Sequence, residues 1–176
     1  GAAVAAGRAG LDVILLEATS KVGGVMAFCP GMPWGAAYPA GHTIGGLMEE
    51  LTQRLAAMTP PAAEKRPCTL ANFGSEIQYD HDIATLTMFE MVEEAGVRVR
   101  LNTTAITPVM DGTSIAQVTC YDRNGPFNIA PRIVIDCSGD GDISAKSGVP
   151  FTLGDAGGNM MGVTLSFHML GVDWAQ

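Results

Sequence analysis

The apolar positions of this chain change rhythm several times, and each rhythm predicts a different element. Residues 1–9 are small and apolar, with Ala2, Ala3, Val4, Ala5 and Ala6 in succession. Alanine is the strongest helix former, so a helix is predicted, with Gly10 as its stop. Residues 12–17 read Asp-Val-Ile-Leu-Leu-Glu. An unbroken apolar run closed by an acid is the pattern of a parallel strand buried on both faces. Helix, tight turn and strand together form the second half of a βαβ unit.

Residues 23–46 are rich in Gly, Pro and Ala and carry no period, which predicts a long irregular segment of the kind that is usually functional. Residues 44–58 then show helical spacing through Leu47, Met48, Leu51, Leu55 and Met58, ended by Pro60 and Pro61. Residues 60–78 read as loop. A second amphipathic helix is predicted over 82–95, with Ile83, Leu86, Phe89, Met91 and Val92 apolar and Gly96 as its stop. Strands follow at 97–101, 105–110, 115–121 and 127–135. The pairs Asp111-Gly112 and Asn124-Gly125 favour the positive φ of tight hairpins, so the last three strands form an antiparallel meander. Residues 133–136 again look like a buried strand, ending in the small turn Cys137-Ser138-Gly139-Asp140-Gly141-Asp142.

Composition narrows the class. The 176 residues suit one domain or slightly more, and 47% hydrophobic content is enough for a real core. No apolar run reaches the roughly 18–20 residues of a membrane span. A net charge of -8 argues against nucleic acid, because phosphate binding needs a basic surface. Cysteines at 29, 68, 120 and 137 lack Cys-x-x-Cys spacing and read as reduced cytoplasmic thiols. Histidines 42, 81 and 168 are scattered without zinc spacing, so no metal site is expected. The chain opens inside a helix with no signal peptide and stops without a closing element, so it is read as a fragment.

Glu17 is the strongest single candidate. A carboxylate at the tip of the second strand of a βαβ unit accepts hydrogen bonds from ribose hydroxyls and repels a 2′-phosphate. Gly10, Val13 and Glu17 match the tail of a dinucleotide fingerprint, although an ordinary solvated glutamate ends a strand in the same way. The phosphate-binding glycines would lie upstream of Gly1. Gly23 and Gly24 let backbone pass close to a bulky ligand, or form a plain turn. Ser138, Gly139 and Asp140 follow a strand's carboxyl end, where open α/β sheets bind ligands. There Asp142 reads as a helix cap and Asp140 is left open between ligand and turn. Cys29 reads as a packed thiol, His42 and His81 as surface or capping residues, and Met88 and Met91 as packing.

The order of these features resembles the FAD-dependent oxidoreductase family with a glutathione-reductase-type flavin domain, on the side of the fumarate-reductase-like flavoproteins. The residues that carry the resemblance are Glu17, Gly23-Gly24, Ile44-Gly45-Gly46, Tyr79-Asp80, Glu94-Ala95-Gly96-Val97, the meander, and the run from Val134 to Asp142. It implies FAD as cofactor, with Glu17 on the adenosine ribose and Gly23 and Gly24 passing close to the cofactor. It also implies that backbone at Ala105 meets the adenine and that Ser138 and Gly139 lie on the adenosine side. The chain departs from the family in having Cys137 where alanine is more common.

The expected fold is therefore α/β: an FAD/NAD(P)-binding Rossmann-like three-layer domain with an inserted antiparallel meander, truncated at both ends. Residues 1–150 form the FAD-binding domain, and 151–176, with a strand expected over 163–169, begin a substrate region. The expected function is flavin-mediated hydride or electron transfer with a small-molecule substrate, in the cytoplasm, with the catalytic acid or base unassigned. An NAD-binding dehydrogenase and a non-catalytic nucleotide-binding module are the alternatives.

Overall fold

The computed structural model describes residues 1–29, 31–38, 45–68, 74–165, 169 and 171–172. In chain order the elements are α1 (Ala2–Arg8), β1 (Ile14–Leu16), α2 (Val25–Phe28), β2 (Trp34–Tyr38), α3 (Gly46–Ala56), β3 (Ala63–Pro67), β4 (Ser75–Tyr79), α4 (His81–Glu94), β5 (Arg98–Arg100), β6 (Thr104–Asp111), β7 (Ser114–Asp122), β8 (Gly125–Ile129) and α5 (Asp142–Lys146). They divide into two units. Lys21–Ala95, with Gly1 and Leu165–Gln176, is one; Ala2–Ser20 with Gly96–Thr164 is the other. Among the described residues no helix is long and apolar enough to cross a membrane.

The unit built on Ala2–Ser20 begins as the sequence predicts. α1 ends at Gly10, whose φ of 81° lets its N–H reach Gly7 O while the Leu11 N–H reaches Ala6 O. β1 then pairs in parallel with β5, Ile14 opposite Arg98 and Leu16 opposite Arg100. The pairing runs on past the strand ends: Glu17 N donates to Arg100 O, and Thr103 N donates to Glu17 O. β6, β7 and β8 form the predicted meander, turning at Gly112 (φ 59°) and Gly125 (φ 107°). Its core is Val118, Cys120 and Ile143, against which Leu16, Ala105, Phe127 and Val134 pack.

Three expectations fail here. β1 is half-buried, since among the described residues it has a strand partner on one side only. Residues 133–136 are not a strand. The meander ladder stops at Ile129, because Pro131 has no N–H to donate. Beyond it Ile133 and Ile135 are 78% and 61% exposed while Val134 turns in to the core. That alternation suits a sheet, but among the described residues no strand pairs with it. The strand expected over 163–169 is also not formed where it is described: 163–165 are exposed and unpaired. Residues 166–168 lie outside the described residues.

The unit built on Lys21–Ala95 holds a sheet that the sequence reading missed. β2, β4 and β3 lie in that order, antiparallel, where irregular chain and loop were expected. β3 is charged and exposed from Glu64 to Arg66, as suits an edge strand. β4 supplies the centre, with Ile77 fully buried. Trp34 stacks on Tyr79 at 4.2 Å between ring centroids, and the Tyr79 hydroxyl donates to Met26 O. Burial pushes the Tyr79 phenol up, offset in part by the nearby Trp34 Nε1.

α3 and α4 match their predicted spans within two residues. α4 is capped by Asp80, whose Oδ1 accepts from Asp82 N and Ile83 N. Its buried positions are Ala84, Thr85, Thr87, Met91 and Val92, while Leu86 faces out. Thr85 and Thr87 can be buried because their hydroxyls donate to the carbonyls of His81 and Ile83. Arg54 of α3 reaches both Glu50 and Glu94 with N–O distances of 2.7 and 2.6 Å, pinning α3 to α4.

Candidate nucleotide-binding site

Of the seven candidate residues, Glu17, Ala105, Ser138, Gly139 and Asp140 belong to one unit, and Gly23 and Gly24 to the other. The three segments that carry the first group are tied to one core. Leu16, just before Glu17, packs on Val118, Cys120 and Ile143; Ala105 packs there directly; and Ile143 belongs to α5, which follows the Ser138–Asp140 turn.

Glu17 sits at the carboxyl end of β1, half-buried. Its Oε1 accepts two hydrogen bonds from Thr19, from the backbone N at 2.8 Å and from Oγ1 at 2.7 Å. Among the described residues Oε2 accepts none. One oxygen is anchored and the other is free for a donor from outside the chain.

The same local arrangement recurs at Asp136. Ser138 N and Ser138 Oγ donate to Asp136 Oδ1 at 3.0 and 2.7 Å. Here the second oxygen is also taken, by Ser144 N of α5 at 2.8 Å. Burial works to raise the Asp136 carboxyl, but the hydrogen bonds from Ser138 and Ser144 win and hold it at about 2. With both oxygens engaged, Asp136 shapes the turn and holds the start of α5. This corrects the sequence reading, which gave the capping role to Asp142: Gly141 occupies the cap position without a side-chain bond, and the remote Asp136 supplies the oxygen.

The turn itself is thereby fixed. The Ser138 hydroxyl donates to Asp136 and accepts from Gly141 N at 3.1 Å, so it is largely spent on structure. The Asp140 carboxylate is exposed and makes no hydrogen bond among the described residues. Gly139 has nothing within 4 Å of where a side chain would start. Ala105 lies on β6, an outer strand of the meander, one residue before a register shift. At that shift Lys146 Nζ caps Ile106 O at 2.7 Å.

The glycine pair separates into two cases. A Cβ on Gly23 would lie 2.6 Å from Met88 Cε and 3.3 Å from Ala27 Cβ, at a φ of 116°. The positive φ is sufficient reason for glycine there, since the Met88 methyl is the movable end of a side chain. Gly24 (φ 55°, ψ -128°) has backbone angles suited to glycine and nothing within 4 Å of its missing side chain.

Sequence reasoning missed a cleft of ≈ 350 Å³ at the carboxyl end of β5, lined by Arg100, Asn102, Thr103, Asp122, Arg123 and Asn124 among others. It adjoins Glu17 through the backbone, since Arg100 O and Thr103 N are the partners of Glu17. Asn102, at φ 50°, donates its N–H to Thr19 O. Arg100 is held by Asp122 at 3.0 Å and lies over the Phe127 ring at 4.4 Å. Asparagine directly after a strand is a recognisable signal for such a left-handed turn. His42, His168, Pro30 and Ile44 lie outside the described residues. Among the described residues no three His, Cys, Asp or Glu side chains group as metal ligands.

The sequence pattern of the FAD dependent oxidoreductase family matches residues 1–176. No curated protein matches the chain. Among solved structures, the chain is similar to THI4 from Thermovibrio ammonificans (17% identity, TM-score 0.56), covering 82% of this chain and 55% of that one. OxyS anhydrotetracycline hydroxylase from Streptomyces rimosus is 15% identical with a TM-score of 0.60, over 87% of this chain and 32% of that one. The myxobacterial chondrochloren halogenase CndH, a variant of FAD-dependent halogenases, is 16% identical with a TM-score of 0.53, over 78% of this chain and 34% of that one. At these identities the likeness is one of fold, the FAD-binding Rossmann-like α/β fold, and the chain spans about half or less of each relative's length. With the match over its whole length, the chain belongs to the FAD dependent oxidoreductase family, whose cofactor is FAD.

Proposed function

We propose that this chain forms the adenosine-holding part of a flavin-dependent oxidoreductase that passes a hydride or an electron pair between FAD and a small-molecule substrate. The observation that carries the reading is Glu17: a carboxylate at the carboxyl end of a parallel strand, with Oε1 anchored and Oε2 unpartnered. An oxygen in that state has lone pairs to accept a sugar hydroxyl. When bound, FAD supplies the redox chemistry, and the protein supplies binding and orientation.

In this reading Glu17 Oε2 accepts from the adenosine ribose. Backbone at Ala105 meets the adenine, and Asp140, with its exposed carboxylate, accepts from a hydroxyl of the cofactor. Ser138 and Gly139 give that turn its small profile. Of the glycine pair, Gly24 is the one that leaves open space for a ligand. Residues 1–150 form the cofactor domain, and residues 151–176 begin the region that faces substrate.

Equilibrium FAD binding by the full-length protein, followed by flavin fluorescence, tests the assignment. Glu17→Ala should raise the Kd for FAD by about tenfold or more, the scale of a lost hydrogen bond to a charged group. A variant that holds FAD as tightly as the parent removes Glu17 from the site. A full-length protein that takes up no flavin removes the reading altogether.

A further inference from the structure

Glu17 has two chemically equal oxygens, yet the chain treats them differently. Thr19 places two donors on Oε1 and leaves Oε2 without a partner. Two hydrogen bonds fill the lone-pair sites of one carboxylate oxygen. The comparison with Asp136 sharpens the point. There the same acid-x-hydroxyl arrangement fixes one oxygen, and a backbone N–H of α5 takes the other. At Glu17 the clasp is built and the second oxygen is kept open.

Thr19 is itself fixed from the far side. Its carbonyl accepts from Asn102 N at 2.9 Å, across the extension of the β1–β5 pairing. So the Glu17 side chain, which has three rotatable bonds of its own, is held by a residue whose backbone is anchored to a neighbouring strand end. A carboxylate already held in one rotamer loses little freedom when a ligand arrives.

We infer that Thr19 is a positioning residue for nucleotide binding: its hydroxyl and N–H fix Oε1 of Glu17 so that Oε2 alone receives the ribose hydroxyls of FAD. The inference rests on the reading of Glu17 given above. It also narrows it, since a sugar diol at this carboxylate has one oxygen to share rather than one for each hydroxyl.

The test is a double-mutant cycle in the full-length protein, read as the Kd for FAD. Thr19→Val removes the hydroxyl, keeps the shape and keeps the backbone N–H; Thr19→Ser restores a hydroxyl. Thr19→Val should raise the Kd by about five- to tenfold, since one of the two anchoring donors is lost, and Thr19→Ser should leave it within about twofold of the parent. In a Glu17→Ala background, Thr19→Val should add less than about twofold, because a residue that acts through Glu17 has nothing left to position. Thermal unfolding without FAD should be the same for Thr19→Val and Thr19→Ser.

If Thr19→Val weakens FAD equally with and without Glu17, the residue acts on its own account and the inference is wrong. If Thr19→Val binds as the parent does while Glu17→Ala does not, the inference is wrong and the assignment of Glu17 stands. If Glu17→Ala itself leaves the Kd unchanged, the underlying reading fails first.

Discussion

Replacing Asp136 with asparagine should destabilise the protein at neutral pH and leave it nearly unaffected in strong acid. Asp136 accepts three hydrogen bonds, two from Ser138 and one from Ser144 N. Asparagine keeps the shape but sets an NH2 group where one carboxylate oxygen faced a donor. The carboxyl is held down from its ordinary 3.8 to about 2. At about 1.4 kcal/mol per pH unit that shift is worth roughly 2.5 kcal/mol. Partial exposure of the site reduces the figure to about 1 kcal/mol. The group is depressed in the folded state, so its contribution is complete above the unfolded pKa of about 4 and fades as pH falls towards about 2. Urea unfolding of parent and Asp136→Asn at pH 7 and pH 2.5 measures this directly. The midpoint difference should be about 0.5 M at pH 7 and should shrink markedly at pH 2.5. A difference of equal size at both pH values, or none at pH 7, refutes the role given to the carboxylate.

Gly23→Ala should lower the urea midpoint by the equivalent of about 1–2 kcal/mol, mainly the cost of a left-handed backbone. The Met88 methyl 2.6 Å from the new Cβ is a flexible tip that can move aside. An unchanged midpoint would show that the backbone at position 23 does not need glycine. Arg54→Ala should cost about 1 kcal/mol, a value expected for a partly exposed pair with good geometry. The loss should shrink in about 1 M salt, where the Debye length falls to about 3 Å. Arg54→Lys should not restore it, because lysine cannot span Glu50 and Glu94 with one planar fork. Full recovery with lysine would reduce the contact to plain charge.

The parts legible in the sequence are those whose signal is local. Asp111-Gly112 and Asn124-Gly125 mark the meander turns, Gly10 marks the end of α1, and the spacing of Leu51 and Leu55 marks α3. The β2–β4–β3 sheet was illegible for opposite reasons in its strands. β3 presents Glu64, Lys65 and Arg66 to solvent and has no apolar face to read. β4 alternates in sequence, with Ile77 and Tyr79 either side of Gln78, but it is only five residues long and only Ile77 is buried. Residues 133–136 show the converse. Their composition is that of a strand, yet composition does not provide a neighbour to bond with. At the candidate site, the position of Glu17 at a strand end was legible from its place after an apolar run. Thr19 was not, since threonine two residues beyond an acid is unremarkable until the hydroxyl is seen on Oε1. Asp136 was hidden by Asp142, which stands in the usual capping place while the actual acceptor lies eight residues before Ser144.

Both acid-x-hydroxyl clasps join groups only two residues apart. Closing so short a segment sacrifices little chain entropy, so each can form early, before distant parts of the polypeptide have met. On the proposed reading, a nucleotide reaching Glu17 would meet a carboxylate already oriented by its own chain neighbours.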